Sequence, residues 1–151
     1  MEDSLEPLRL VVPDTGERSW IIDSQSPPPR VLVVDDEALI RWSICETLSD
    51  LGCAVLEAGD GETALRMLMD TAPGVDVIVL DYRLPDSDGL GLLSAIRRLA
   101  PGSQVIMMSA YGAPEMASGA LALGVFRVMN KPFEMREIAA AVQEAHPGHW
   151  H

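Results

Sequence analysis

From residue 30 onward the chain is divided by five short apolar runs, at 31–34, 54–56, 75–80, 105–108 and 126–129, and this alternation leaves few folds open. Runs this short and this continuously apolar suit strands of a parallel sheet that is covered on both faces. The stretches between them carry apolar residues at helical spacing: Ile40, Ile44, Leu48 and Leu51 in the first, and Leu92, Leu93, Ile96 and Leu99 in the third. Ala64, Leu65 and Leu68 line the inner side of the second, with Asp60 placed to cap its start. Met116, Ala120 and Leu123 repeat more weakly, and Ile138, Val142 and Ala145 close the set. Strands alternating with helices at this pitch build βαβ units. The expectation is one α/β domain, a doubly wound five-stranded parallel sheet with five helices.

The first 28 residues read differently. Residues 8–12 and 19–22 are β-prone and flank a turn-rich Pro13-Asp14-Thr15-Gly16, which suggests a short hairpin, followed by a stiff Pro-rich linker. The expected division is an N-terminal extension at 1–28, the α/β domain at 29–146 and a tail at 147–151. His146-Pro147-Gly148 ends the last helix, and no second domain is expected after it.

Bulk properties exclude several function classes. A formal net charge of −12 disfavours direct nucleic-acid binding, which needs basic patches to displace counterions. No apolar stretch approaches the roughly 20 residues that span a bilayer, and the N-terminus lacks the basic and apolar regions of a signal peptide. The expected location is cytoplasmic, with no membrane partner. Cys45 and Cys53 have neither metal-ligand nor redox spacing and read as small buried hydrophobes. Of 11 basic residues only Lys131 is lysine, so a compact ammonium is singled out at that position.

In an open parallel sheet, ligands gather beyond the carboxyl ends of the strands. Asp35 and Asp36 follow the first run, Asp81 the third, Ser109 the fourth and Lys131 the fifth. A single Asp after a strand is an ordinary turn former or cap. Three carboxylates on one sheet edge are different, because they repel unless a cation or a proton sits among them. Magnesium suits such a set, a hard ion held by one or two carboxylates with waters and phosphate oxygens. Lys131 supplies fixed positive charge and Ser109 a hydroxyl donor for a phosphoryl group. Asp81 is then the natural carboxylate nucleophile.

Four segments carry a resemblance: 31–37 (VLVVDDE), 79–89 (VLDYRLPDSDG), 108–112 (MSAYG) and 130–133 (NKPF). In this order they resemble the receiver domains of two-component response regulators, most closely those of NtrC-type activators, over about residues 30–145. The resemblance implies a flavodoxin-like fold with strand order 2-1-3-4-5. It implies that Asp81 accepts a phosphoryl group from a sensor histidine kinase or a phosphotransfer protein. Asp36, Asp81 and the Arg83 backbone carbonyl would hold Mg2+ directly, with Asp35 acting largely through water. Lys131 would pair with the phosphoryl group, Ser109 would be the switch hydroxyl, and the Lys131–Pro132 bond would be cis. Output would pass to an unidentified downstream protein, and a homodimer is compatible with the pattern. Such a domain is not a turnover enzyme on an outside substrate.

One position departs from the family. Receivers usually carry Tyr or Phe three residues before the lysine, and here Val128 stands there, too stiff at χ1 to act as a rotating gate. The loop from 110 to 115 is the alternative route for the signal. Arg83 and Tyr111 occupy positions that tune dephosphorylation in the family and are large enough to shield an acyl phosphate. Other features read as structure: Gly89 as a tight turn into the third helix, the methionines at 67, 69, 107 and 108 as core filler, and the C-terminal His146, His149 and His151 as a frayed end. Trp42, in the first helix, is expected to be partly exposed and is a candidate for phosphodonor docking. Three other functions compete: a relay intermediate, a phosphorylation-independent pseudo-receiver, and an aspartyl-phosphate hydrolase. The hydrolase is disfavoured because Arg83 stands where such enzymes place a second Asp.

Overall fold

The computed structural model describes residues 27–71, 74–110 and 114–148. The expected N-terminal hairpin, Tyr111, His149 and His151 lie outside the described residues.

Five strands form one parallel sheet: β1 (Arg30–Val34), β2 (Ala54–Ala58), β3 (Val77–Asp81), β4 (Gln104–Ser109) and β5 (Arg127–Asn130). Their order is β2-β1-β3-β4-β5. Five helices alternate with them: α1 (Ala38–Asp50), α2 (Gly61–Asp70), α3 (Gly89–Leu99), α4 (Pro114–Ala122) and α5 (Met135–Ala145). Strand alternation sorts the apolar residues onto two faces. Leu32, Val34, Ile78, Leu80, Val105 and Met107 pack with side chains of α2, α3 and α4. Val31, Val33, Val77, Val79, Ile106 and Met108 pack with those of α1 and α5. The expected doubly wound sheet is present: beyond Arg30 and Gln104 at their first positions, the three inner strands are buried on both faces.

Some boundaries and burials differ from the expectation. β3 begins at Val77 rather than at 75: the Asp76 N–H donates to the Arg30 carbonyl, and the Asp76 carboxylate accepts from the Arg30 N–H at 2.8 Å. Val75 is still buried, and its carbonyl accepts from the Ser103 hydroxyl at 2.5 Å. Leu99 and Met69, expected inside, are 43% and 68% exposed. Both belong to the last turn of their helices, where Leu68 and Ile96 take the core-facing positions. Met107 and Met108 are fully buried, as expected, and both cysteines are buried.

Asp60 caps α2 as anticipated, accepting from the Thr63 N–H at 2.7 Å. The same terminus receives a second carboxylate from a distant loop. Asp86 accepts from the N–H groups of Gly61 at 2.9 Å and Glu62 at 3.0 Å. The Ala64 N–H closes the turn onto the Asp60 carbonyl. The donors of Gly61, Glu62 and Thr63, which a helix start leaves orphaned, therefore all have carboxylate partners. Gly89 is required by close approach: a Cβ there would lie 2.1 Å from the Tyr82 ring and 2.7 Å from the Tyr82 carbonyl oxygen.

Candidate functional site

The sheet order reverses at β1, with β2 on one side and β3 on the other. The register sets Val34 beside Leu80, Asp81 beside Met108 and Ser109 beside Asn130. Residues just past these strand ends must therefore share one rim, where the chain leaves β1 and β3 in different directions.

The sequence-predicted residues meet there. Lys131 Nζ lies 3.2 Å from Asp81 Oδ2 and 3.3 Å from Asp35 Oδ2. Asp35 and Asp81 are buried, whereas Asp36 is exposed. Carboxylate oxygens of Asp35, Asp36 and Asp81 lie within 4.8 Å of one another. The second oxygen of Asp81 accepts from the Arg83 N–H at 3.2 Å, and that of Asp35 from the Glu37 N–H at 2.8 Å. Ser109 is buried at the end of β4, and its carbonyl accepts from the Lys131 N–H at 2.6 Å. The Lys131–Pro132 peptide is cis, as the resemblance implied.

Glu37 was not anticipated. Its carboxylate stands 3.5 Å from Lys131 Nζ, so three acids face one ammonium. The only prior hint was its place after Asp36 in the sequence. Val128 is half-buried, packed with the α2–α4 face of the core. Phe126 is 37% exposed, beneath the Arg127 guanidinium.

Electrostatics at the rim reflect surplus negative charge. Burial pushes the Asp81 carboxyl above its ordinary value, the Asp35 charge pushes the same way, and Lys131 and the Arg83 N–H only partly oppose them. For Lys131, burial works to lower the pKa, but the charges and hydrogen bonds of Asp81 and Asp35 together raise it. One ammonium does not balance the cluster. The donor set fits a hard divalent cation: three carboxylates converge, and the Asp36 carboxylate engages no protein donor among the described residues.

The sequence matches the response regulator receiver domain over residues 31–143. The chain belongs to the response regulator receiver family. It is similar to the regulatory protein AtoC of Escherichia coli (strain K12), 36% identical over 116 residues, which are 77% of this chain and 25% of AtoC. It is 33% identical to the DNA-binding transcriptional regulator NtrC of Azospirillum brasilense over 115 residues, 76% of this chain and 24% of that protein. This receiver thus spans about a quarter of the length of these relatives. Among solved structures, a CheY-like receiver domain protein from Methanospirillum hungatei JF-1 superposes with a TM-score of 0.74 at 27% identity, covering 78% of this chain and 92% of that one. The CheX-CheY-BeF3-Mg+2 complex from Borrelia burgdorferi gives 0.74 at 27% identity, covering 80% and 91%. Receivers are phosphoacceptor signalling modules of two-component systems, and the acidic rim is where members of this family bind Mg2+. Among the described residues no helix is long and apolar enough to cross a membrane.

Proposed function

We propose that Asp81 is the phosphoacceptor of this receiver, with Asp35, Asp36, Asp81 and the Arg83 backbone carbonyl as the Mg2+ site. The convergence of Lys131 on both Asp81 and Asp35 carries this reading. An Asp81 oxygen attacks the phosphorus of a phosphohistidine, or of a small acyl phosphate. The new O–P bond forms as the bond to the donor breaks; a departing imidazole nitrogen takes its proton from solvent, and a departing carboxylate leaves as the anion. Bound Mg2+ would neutralise phosphoryl oxygens and the surplus carboxylate charge. Lys131 leaves Asp81 for a phosphoryl oxygen while keeping its hold on Asp35, and the Arg83 N–H keeps Asp81 oriented. The Ser109 hydroxyl donates to a second phosphoryl oxygen and brings the end of β4 with it.

The donor is a sensor histidine kinase or a phosphotransfer protein, and the switched surface recruits a downstream protein. Trp42, 60% exposed on α1, and its neighbour Leu39, 74% exposed, are available to that donor. The test is binding of beryllofluoride, a phosphoryl mimic, in the presence of Mg2+. Amide resonances of Asp35, Asp81, Ser109 and Lys131 should shift in the wild type and not in Asp81→Asn. Equal shifts in both proteins, or none in either, would reject Asp81 as the acceptor.

A further inference from the structure

We infer that Arg41 is a positioning residue for the cation site, holding the Asp35–Asp36 peptide so that the Asp36 carboxylate converges on Asp35 and Asp81. This deepens the reading of the acidic rim as a Mg2+ site and rests on it.

Among the described residues no donor fixes the Asp36 carboxylate, and its place is set by the backbone on either side. That backbone is pinned at four points. The Asp35 N–H donates to the Ala58 carbonyl at 3.1 Å. The Asp35 carbonyl accepts from Arg41 Nη1 at 2.6 Å. The Glu37 N–H returns to Asp35 Oδ1, and the Glu37 carbonyl accepts from the Arg41 N–H at 3.0 Å. Arg41 thus supplies two of the four, one from its side chain and one from its backbone. The Asp35 carbonyl belongs to the peptide that leads into Asp36, so the guanidinium sets the plane from which the Asp36 side chain departs.

The guanidinium is itself anchored. Arg41 Nε donates to Glu57 Oε1 at 2.8 Å, and Gly59 leaves room beside it, where an added Cβ would lie 3.4 Å from Nη1. A planar fork can reach a carboxylate and a carbonyl together, which a lysine cannot do from a single nitrogen. The Arg41 side chain is 21% exposed and that of Glu57 57%, so as a bare surface pair they would contribute little to stability. Groups that orient metal ligands, by contrast, commonly change metal affinity when lost.

The test is Mg2+ affinity measured by titration calorimetry on the full chain without any phosphodonor, alongside urea unfolding. Arg41→Ala should weaken Mg2+ binding by about tenfold, the lower range for losing a group that orients a ligand. Arg41→Lys should recover part of that loss. Glu57→Ala, on the surface, should weaken binding less than Arg41→Ala with little change in the urea midpoint, and should add nothing further when combined with Arg41→Ala. Wild-type affinity in a folded Arg41→Ala would overturn the proposal. If that variant does not fold, wild-type affinity in both Arg41→Lys and Glu57→Ala would overturn it. A wild-type chain that does not bind Mg2+ would overturn the site reading itself, and the proposal with it.

Discussion

Lys131 Nζ stands 3.2 Å from Asp81 Oδ2, across 50 residues of sequence. The contact depends on the parallel register, which carries the end of β5 to the same rim as the end of β3 through β4. It leaves the rim with more acid than base, and several expected outcomes follow from that imbalance.

Asp81→Asn should stabilise the protein at neutral pH when no divalent cation is present. Asp81 is buried beside Asp35 and its carboxyl is raised, so its charged form opposes folding. A raised carboxyl contributes stability below the ordinary carboxylate range and loses it as pH rises through the folded value. The gain from the substitution should be present at neutral pH and vanish in acid. Adding Mg2+ should stabilise the wild type and not the variant. Thermal unfolding across pH, with and without Mg2+, measures both.

Asp86 shows the opposite sign. Its carboxylate accepts from Gly61 and Glu62 N–H groups, and these hold it below the usual range. Its contribution is present above the unfolded value, about 4, and is lost as pH falls through the folded one. Asp86→Ala should therefore lower the unfolding temperature at neutral pH, with the difference shrinking in acid. Denaturation of both proteins along a pH series checks the direction.

Burial pushes the thiols of Cys45 and Cys53 up to about 11, with the Glu57 charge adding to the first and the Asp76 charge to the second. Both should react slowly with thiol reagents at pH about 8 in the native state and fast in urea. Their protonated forms favour the fold, so stability should fall as pH rises from the ordinary thiol value of about 8.5 toward 11. Labelling rates with and without denaturant decide the first point.

Arg83 is exposed next to Asp81, with its N–H on the Asp81 carboxylate. If its side chain shields the acyl phosphate from water, Arg83→Ala should lose the phosphoryl group severalfold faster. Decay followed by intact mass after removal of the donor measures this. An unchanged rate would remove the shielding role.

The acids and the lysine were legible because each follows an apolar run, and a parallel sheet delivers the ends of such runs to one edge. Asp35, Asp36, Asp81, Ser109 and Lys131 could be named from spacing and residue type, and the capping role of Asp60 likewise. The strand order was not readable from periodicity and came from the resemblance. Arg41, Glu37 and Asp86 were missed for one physical reason. Each acts through a backbone group or a charge brought close by folding, and no local pattern marks such a partner. Leu99 keeps helical spacing and Met69 reads as core filler, but neither periodicity nor residue type reports which side chain at a helix end faces water.

The most direct measurement is the intact mass of the protein after incubation with acetyl phosphate and Mg2+, for wild type and Asp81→Asn side by side. The wild type should gain the mass of one phosphoryl group, show no gain when Mg2+ is chelated before the donor is added, and carry the modification on Asp81 after peptide mapping. The same gain in Asp81→Asn, or no gain in a wild type that binds Mg2+, would contradict the assignment of Asp81 as the phosphoacceptor.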